Sequence, residues 1–584
     1  MYFLELAEIF EKMEQTTSRL ELTNHLVYIL KKTTSVIIDK IVYLIQGKLG
    51  PDYQSKQLGV ADKVVIKSLA LASGYSVNEV QIKYNEIGDI GDVAYEILKS
   101  KLQTTLFYEK LTIERLYNTL LRISELTGSG SIELKLKYIN SLLNNSTNLE
   151  SKFILKLILG NLRLGIADFT VLDAIAIAFT GDKKNRKILE RAYNVSSDLG
   201  KIARILFDGS IDEVKSIPIS IFVPVRPMLA ERASDAEEAL KKMNGKMCYA
   251  EYKIDGERIQ IHKHNNRIEL YTRNLENVTN NFSDLVHEIE KINSKDLIAE
   301  GEIVSVDLIT GRFLPFQSLM HRRRKYNIED AIKDYPVLLN LFDILYYDNQ
   351  DKTNLPFSTR RKILEEVLSF KHDKIKLVNQ KTVAKVEEID KFMTKAIENG
   401  CEGLMIKNPN STYRAGAREW AWIKLKKEYS NKLLDTIDLV IVGAIFGKGR
   451  RVGKYGALLL ASYKPDEDTF YTICKVGTGF TDEILDEISK KLKNHIIENK
   501  NPRVISGEIK MDVWFEPKIV IEIFSPEITL SPIYTTSIDK IKKGYGLALR
   551  FPKFTGKIRE DKNAEDSTTI KEIENIYKKQ LKSI

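Results

Sequence analysis

A chain of 584 residues is too long for a single hydrophobic core, so its length predicts roughly three or four domains. With 43% hydrophobic and 29% charged residues it has a globular composition, and no apolar run approaches the ~20 residues that cross a membrane. A net charge of +9 is compatible with a polyanionic partner. The chain starts without a secretory pattern and its three cysteines are far apart, which predicts a cytoplasmic protein without disulfides or a zinc site.

The first part of the chain predicts helices. Only one proline, Pro51, precedes Pro218, and patterns such as FILKLILGNLRLGIADFTVLDAIAIAF have a helical period. We therefore predict an all-α domain over residues 1–217. The proline-rich segment that follows, SIPISIFVPVRPMLAE, predicts a linker over residues 218–231.

Two segments of the helical region offer groups for phosphate binding. ELTGSGSIELKLKYI places Gly128, Ser129, Gly130 and Ser131 directly before a helical pattern, and backbone N–H groups at a helix N-terminus bind anions. NLRLGIAD adds Arg163 between two helices. On these residues alone, an ordinary glycine-rich turn between helices is the more common explanation.

The second half of the chain predicts strands. From residue 232 to 428, strand patterns alternate with helical ones, which is typical of an α+β domain. From 429 to 584 a glycine-punctuated β region, small enough for a barrel, precedes a helical tail, STTIKEIENIYKKQL.

A candidate nucleophile lies in the segment CYAEYKIDGERIQIHK, where alternation predicts two strands. Asp255-Gly256 between them is typical of a two-residue hairpin turn, which would place Lys253 opposite Arg258. The alternation also places Glu251 on the same strand face as Lys253. A neighbouring cation favours the neutral form of an amine, and a neutral amine is a nucleophile. A solvated hairpin face with mixed charges explains this stretch equally well.

Further strands of the same region each offer charged or aromatic side chains. The acids suit a magnesium ion and the bases suit phosphate oxygens, while an aromatic ring can stack on a flat ligand. These residues are Glu300 and Glu302 in LIAEGEIVSVD, Phe342 in LLNLFDILYYD, Glu402 and Lys407 in CEGLMIKNP, and Arg418, Lys424 and Lys426 in REWAWIKLKKEY.

These segments carry a resemblance to a known family. EYKIDGER resembles the K-x-D-G motif of covalent nucleotidyltransferases, and YTRN, AEGEIVSVD, LFDIL, EGLMIK and WIKLKKEY follow in that superfamily's order. LRFPKFTGKIREDK resembles its last motif. Across essentially the whole chain, including NLRLGIAD, RPMLAE and VWFEPKIVIEI, the sequence is similar to ATP-dependent DNA ligases of the archaeal and eukaryotic replicative type.

The resemblance implies an architecture and an activity. It implies a helical DNA-binding domain at 1–217, an adenylation domain at 232–428 and an OB-fold domain with a helical tail at 429–584. It implies a monomeric enzyme that seals nicks in double-stranded DNA, with roles in replication, repair and recombination. ATP would adenylate the lysine, with Mg²⁺ and possible use of Mn²⁺, and AMP would pass to the 5′-phosphate before the 3′-hydroxyl attacks.

The resemblance also implies roles for individual residues. Lys253 would carry AMP, and Asp255 would orient it or a metal-bound water; Glu302 and Glu402 would hold the metal. ATP would be bound by Glu251, Arg258, Arg273, Glu302, Phe342, Arg418, Lys424 and Lys426. DNA would be bound by Gly128, Ser129, Gly130, Ser131 and Arg163. Arg559, Asp561 and Lys562 would act in lysine adenylation when the barrel swings on a hinge over residues 427–438.

Alternatives within and outside the superfamily are less well supported. A capping guanylyltransferase or an RNA ligase shares K-x-D-G but is not expected to carry so long a helical domain. A P-loop ATPase requires G-x-x-x-x-G-K-[ST], and GAIFGKGR lacks that spacing and the hydroxyl residue. A non-enzymatic DNA clamp or scaffold would not need the lysine with its acids and bases.

A possible partner site lies in the helical region. QTTLFY, Gln103 to Tyr108, resembles a shortened sliding-clamp-binding peptide. A helix that buries Leu106 and Phe107 is an equally good explanation, because both residue types are common in cores.

Overall fold

The computed structural model describes the chain except for residues 55, 101–108, 309, 315, 323–327, 370–371, 427–435, 448–453 and 583–584. The clamp-like segment Gln103 to Tyr108 and most of the predicted hinge therefore lie outside the described residues. The chain divides into two compact units. The first comprises Met1–Tyr84 and Ile90–Lys427, and the second Asn85–Asp89 and Glu428–Ile584.

The predicted all-α region is confirmed up to residue 215, and its described helices vary from short to about four turns. They are α1 (Phe3–Glu14), α2 (Arg19–Lys32), α3 (Ile38–Ile45), α4 (Asp62–Ser73), α5 (Val77–Ile87), α6 (Ile90–Ile97), α7 (Ile113–Glu125), α8 (Ser131–Asn144), α9 (Asn148–Ile158), α10 (Asp168–Thr180), α11 (Arg186–Ser196), α12 (Leu199–Asp208) and α13 (Ile211–Lys215).

Helix α9 lies in the core of this region. Residues 150–158 of α9 are all buried, which explains why the sequence FILKLI is apolar with almost no polar face. Its two buried lysines are neutralised by acids of α1: Lys152 lies 2.7 Å from Glu11, and Lys156 lies 2.8 Å from Glu14. Burial of the lysines is thus compatible with the fold because each has a counter-charge.

The α+β part of the first unit contains two sheets. The five-stranded sheet has the order β1-β11-β10-β2-β9, and the six-stranded sheet has the order β4-β3-β5-β6-β7 with β8 beside β6. The strands are β1 (Leu229–Ala233), β2 (Cys248–Lys253), β3 (Glu257–His264), β4 (Arg267–Thr272), β5 (Asp296–Ser305), β6 (Val337–Tyr347), β7 (Gln350–Asp351), β8 (Ile375–Leu377), β9 (Gln380–Val383), β10 (Gly403–Lys407) and β11 (Arg418–Lys426).

Helices cover these sheets and complete two apolar cores. One core contains Ala250, Leu404 and Ile423 of the five-stranded sheet, and the other contains Ile259, Ala299 and Leu339 of the six-stranded sheet. The helices are α14 (Ala236–Lys242), α15 (Ser283–Glu290), α16 (Phe316–Met320), α17 (Ile328–Asp334), α18 (Phe357–Val367) and α19 (Val386–Glu398).

The hairpin predicted at Asp255-Gly256 is wrong. Strand β2 pairs with β9 and β10, whereas β3 pairs with β4 and β5 in the other sheet. A Cβ on Gly256 would lie 2.2 Å from the carbonyl oxygen of Ile303, so glycine is needed there for a close approach to β5. The Asp-Gly pair therefore carries the chain from one sheet to the other.

The linker docks along one face of β3. The side chain of Gln260 accepts a hydrogen bond from Val225 N–H (2.7 Å), and His262 Nδ1 accepts one from Phe222 N–H (2.9 Å). Arg258 donates to the carbonyl of Met228 at 2.9 Å. Alternate residues of one strand thus hold the linker through its backbone.

The second unit is rich in strands. One sheet has the order β15-β17-β12-β13-β14-β16, with β18 paired to β12 and to β21, and β19 pairs with β20. The strands are β12 (Ile437–Phe446), β13 (Tyr455–Lys464), β14 (Thr469–Val476), β15 (Ile496–Ile497), β16 (Val504–Ile505), β17 (Val513–Phe515), β18 (Val520–Phe524), β19 (Glu527–Ser531), β20 (Gly546–Arg550) and β21 (Lys553–Ile558).

In the described part of the second unit, two α-helices accompany these strands, α20 (Asp482–Lys493) and α21 (Ile570–Lys582). Helix α21 corresponds to the predicted helical tail, and its Ile573 and Tyr577 belong to the core of the second unit. Across the described residues of both units, no helix is long and apolar enough to span a bilayer.

A buried ion pair attaches α18 to β6 and generates a test of the fold. Asp343 and Arg360 are fully buried and form two hydrogen bonds, of 2.8 and 2.9 Å. Arg360→Met should lower the free energy of unfolding by about 3–5 kcal/mol, because it leaves a buried carboxylate without its cation. Urea denaturation followed by tryptophan fluorescence measures the loss.

The double variant Asp343→Leu/Arg360→Met is the matched control for this prediction. It removes both charges, so we expect it to recover part of the stability that Arg360→Met loses. An Arg360→Met variant as stable as the wild type would show that the pair does not support the fold.

Candidate active site

A cleft of about 480 Å³ lies between the two sheets of the first unit. Strands β2, β10 and β11 of one sheet and β3, β5 and β6 of the other all contribute to its walls. The structure brings all the predicted nucleotide, metal and nucleophile residues to this cleft. They are Glu251, Lys253, Asp255, Arg258, Arg273, Glu302, Phe342, Glu402, Arg418, Lys424 and Lys426.

Lys253 lies at the end of β2 with its side chain in the cleft. Its Nζ pairs with the carboxylate of Glu402, and Nζ of Lys426 lies 2.8 Å from the same carboxylate. The backbone supports this arrangement, since Glu402 N–H donates to the carbonyl of Lys253 at 2.9 Å. The side chain of Lys253 is 22% exposed, so its amine is accessible to a ligand in the cleft.

The two predicted metal-binding acids have opposite electrostatic environments. Burial raises the pKa of Glu302 to about 7, although Lys253 and Arg258 oppose the shift; Glu402 and Asp255 add to it. Burial would also raise the pKa of Glu402, but Lys253 and Lys426 hold it well below its ordinary value. A hydrogen bond with Asp255 also helps to lower the pKa of Glu402. Both of these acids act on Glu302 as like charges, and a cation beside Glu302 would relieve that repulsion.

The two acids fit a hard cation such as Mg²⁺, which takes most of its remaining ligands from water and substrate. Among the described residues, no group of three or more His, Cys, Asp or Glu side chains is arranged to hold a metal ion. Mg²⁺ commonly takes one or two carboxylates with waters and substrate phosphates, so Glu302 and Glu402 meet that lesser requirement.

One wall of the cleft is aromatic and backed by cations. The rings of Phe342 and Trp422 meet edge to face, with centroids 6.1 Å apart. The guanidinium of Arg258 lies 5.3 Å from the Phe342 centroid, and Nζ of Lys407 lies 4.7 Å from it. Arg258 is itself fixed by Glu300 at 2.7 Å. The face of an aromatic ring in a cleft wall suits a stacked heterocycle.

The mouth of the cleft is basic. Arg273 and Arg418 are exposed there, and Lys424 lies deeper on β11. Burial lowers the pKa of Lys424, and the neighbouring cations Arg418, Lys253 and Lys426 lower it further. Such a concentration of positive charge favours a polyanionic ligand.

Sequence reasoning missed two buried residues of the cleft wall. Trp422 shares a face of β11 with Lys424 and Lys426, and this spacing of two is the signal that could have identified it. Its Nε1 is buried and has no hydrogen-bond partner among the described residues. Lys407 was noted at the end of β10 but was not assigned to the site, because its burial depends on contacts between distant segments.

The predicted DNA-binding residues lie outside this cleft, in the helical region. Gly130 precedes α8 as its N-cap and has φ +80°, and Gly128 has φ +82°. A Cβ at either glycine would meet nothing within 4 Å, so the turn is open to solvent. Arg163 is exposed in the connection between α9 and α10.

The predicted adenylation residues of the C-terminal segment lie in the second unit. Arg559 and Lys562 both pair with Asp438 of β12, at 2.5 and 2.8 Å. Arg559 also pairs with Asp561 at 2.7 Å, whereas Glu560 pairs with Lys491. Asp438 therefore holds both cations close together.

The two sheets and the cleft between them define a nucleotidyltransferase domain. Three family models match the chain: DNA ligase N terminus at residues 2–176, ATP dependent DNA ligase domain at 227–426, and ATP dependent DNA ligase C terminal region at 451–562. The chain belongs to the ATP-dependent DNA ligase family.

Curated relatives match over the whole chain. The DNA ligase of Nitrosopumilus maritimus is 50% identical over 100% of this chain and 99% of its own length. DNA ligase 2 of Thermofilum pendens is 46% identical over 99% of this chain and 97% of its own length. A solved structure named Pmar-Lig_PreS3 shares the fold, with a TM-score of 0.56 and 20% identity over 95% of this chain and 99% of that one.

The raised pKa of Glu302 predicts a pH-dependent stability. Its carboxyl has a pKa of about 7 in the fold against an ordinary 4.5, so the folded chain keeps a proton that the unfolded chain releases. Stability from this group is therefore lost as pH rises from 4.5 to 7. Glu302→Gln should remove this loss, about 2 kcal/mol once partial solvent exposure is allowed for.

The measurement compares free energies of unfolding at pH 5 and pH 8 in buffer with a chelator. Relative to the wild type, Glu302→Gln should gain stability at pH 8. The exposed Glu398 supplies the control, since Glu398→Gln should leave the pH dependence unchanged. Identical pH profiles for Glu302→Gln and the wild type would contradict the shift.

Proposed function

We propose that this cleft joins DNA ends at a nick through an AMP group carried on Lys253. The observation that supports the proposal is the accessible amine of Lys253 beside the Glu402 carboxylate, in a cleft with a basic mouth and an aromatic wall. Once it has lost its proton, the neutral amine of Lys253 is a nucleophile.

The chemistry proceeds in three balanced transfers. Nζ of Lys253 attacks the α-phosphorus of ATP, a nitrogen–phosphorus bond forms, and pyrophosphate leaves. The 5′-phosphate of the nick then attacks the same phosphorus, which releases the lysine and forms a bond between two phosphates. Attack by the 3′-hydroxyl closes the DNA backbone and releases AMP. Covalent catalysis divides one difficult reaction into easier ones.

The side chains of the cleft suit the parts of the nucleotide. Phe342 stacks on adenine and Glu251 accepts a hydrogen bond from its amino group, while Arg258 and Glu302 lie by the ribose. Asp255 orients the nucleophile. The phosphates and the nick's 5′-phosphate are held by Arg273, Arg418, Lys424 and Lys426. These cations neutralise the charge of the transferring phosphoryl group.

Glu302 and Glu402 would hold Mg²⁺, and Mn²⁺ can occupy the same oxygen ligands. When bound, the ion supplies positive charge that stabilises the phosphoryl oxygens. The protein's own contribution is to keep both carboxylates at the cleft beside Lys253.

DNA is bound through its phosphates by the helical region. We assign residues 1–217 to a helical DNA-binding domain, 218–231 to a linker, 232–428 to the adenylation domain, and 429–584 to an OB-fold domain with its helical tail. The open turn from Gly128 to Ser131 and the exposed Arg163 suit phosphate contacts. Such contacts are independent of sequence, as sealing nicks at any position requires.

Substitution of the nucleophile tests this function. Lys253→Ala should abolish transfer of label from α-labelled ATP to the protein, since the variant lacks the attacking amine. Lys253→Arg is the matched control for charge, because it preserves a cation beside Glu402 but should also fail to accept AMP. Both should unfold at urea concentrations close to the wild type. Lysine-linked label in the Lys253→Ala protein would contradict the assignment.

The cations held by Asp438 are assigned to the first transfer only. Lys562→Ala should slow lysine adenylation on the order of 10²-fold, the effect of removing one group that stabilises a developing charge. The same variant should seal a nick supplied already adenylated at close to the wild-type rate. Lys491→Ala, which removes the cation paired with Glu560, is expected to affect neither assay. Equal losses in both assays for Lys562→Ala would exclude a step-specific role.

A further inference from the structure

The carboxylate of Glu251 is held on both of its oxygens. It lines the cleft although the residue is only 1% exposed. Gln380 Nε2 donates a hydrogen bond to Oε1 at 2.9 Å, and Nζ of Lys407 lies 2.6 Å from Oε2. The position and orientation of this acid are therefore fixed before any ligand enters.

The register of the five-stranded sheet places Gln380 and Lys407 within reach of Glu251. Gln380 of β9 lies directly opposite Glu251, and on the other side Met405 of β10 is its cross-strand partner, two residues from Lys407. Directly opposite and diagonal positions of a sheet are within side-chain reach. Because all three side chains lie on adjacent strands of one sheet, the arrangement is rigid.

Lys407 is enclosed by aromatic rings. Its Nζ lies 4.7 Å from the centroid of Phe342, 4.5 Å from that of Phe357 and 4.2 Å from that of Trp422. The residue is 1% exposed, and this burial lowers the pKa of Lys407 although Glu251 opposes the shift. A buried ammonium is unfavourable unless it is paired, and Glu251 is the acid that pairs with it.

We propose that Gln380 and Lys407 are positioning residues that fix the Glu251 carboxylate as a hydrogen-bond acceptor and thereby select ATP over GTP. This inference rests on the proposed function. Adenine has an amino group at C6, which donates to a carboxylate. Guanine has an oxygen at the same position, and an oxygen facing a fixed carboxylate is repelled.

The two partners contribute differently to this selection. Gln380 restricts rotation of the carboxylate at Oε1, and Lys407 pairs with Oε2. Arg361, whose Nη1 lies 3.6 Å from Oε1, adds a second positive charge that both variants retain. Without Lys407, Oε2 of Glu251 loses its contact, so the carboxylate is no longer fixed in the orientation that accepts a hydrogen bond from the adenine amino group. Lys407→Met preserves the length of the side chain, and Gln380→Leu preserves its approximate volume.

The experiment measures the second-order rate constant for transfer of label to Lys253. The donors are α-labelled ATP, GTP and purine riboside triphosphate, which lacks the amino group. The full-length wild type and the variants Lys407→Met and Gln380→Leu are compared. We expect each variant to lower the ATP to GTP ratio about tenfold or more, the value of one hydrogen bond to a charged group. The ratio of ATP to the purine analogue should fall in parallel.

Lys263→Met is the matched control for loss of a buried lysine. Lys263 is 3% exposed and donates to carbonyls at the end of α15, so its loss should reduce stability without altering either ratio. Should Lys407→Met fail to fold, Gln380→Leu decides the question, because it removes a neutral group.

The outcomes separate the two proposals. Unchanged ratios in a folded Gln380→Leu variant would overturn the selection role, as would an equal loss with all three nucleotides. In either case, labelling of the wild type at Lys253 would leave the proposed function standing. A wild type that accepts no label from any nucleotide would instead overturn the proposed function, and the selection with it.

Discussion

The placement of Glu402 between two lysines is the interaction on which the cleft depends. Lys253 and Lys426 both contact its carboxylate, and Lys424 and Arg418 lie on the same strand as Lys426. Without a carboxylate at this point, the cations would repel one another across a narrow and partly dry space. The acid therefore allows several cations to lie close together in the cleft before any ligand is bound.

The backbone provides the close approach that this ion pair requires. Gly403 follows Glu402 with φ +155°, and a Cβ there would lie 2.1 Å from the carbonyl of Leu425. At Gly256 a Cβ would meet the carbonyl of Ile303 at 2.2 Å. Side chains at these two glycines would force the strands that carry the acids and the lysine apart, so the geometry of the site has a steric origin.

The sequence predicts the site more completely than the path of the chain. The residues of the cleft could be predicted because strand alternation places Lys253 and Glu251 on one face, and motif order associates them with distant acids and bases. The hairpin prediction was wrong because an Asp-Gly pair has two uses, a turn or a close approach, and local pattern does not distinguish them. Lys407 could not be assigned because its role depends on register between strands far apart in sequence, whereas Trp422 could have been found from its spacing of two from Lys424.

The hydrogen bonds between the linker and β3 connect the cleft with the helical region. His262 must be neutral at Nδ1 to accept the Phe222 N–H, and burial lowers the pKa of His262 to about 3. Acidity in the physiological range therefore does not loosen this contact. Arg258, two positions before Gln260, grips the linker at Met228 and also lines the cleft. A single guanidinium thus contacts both the cleft and the linker that joins it to the helical region.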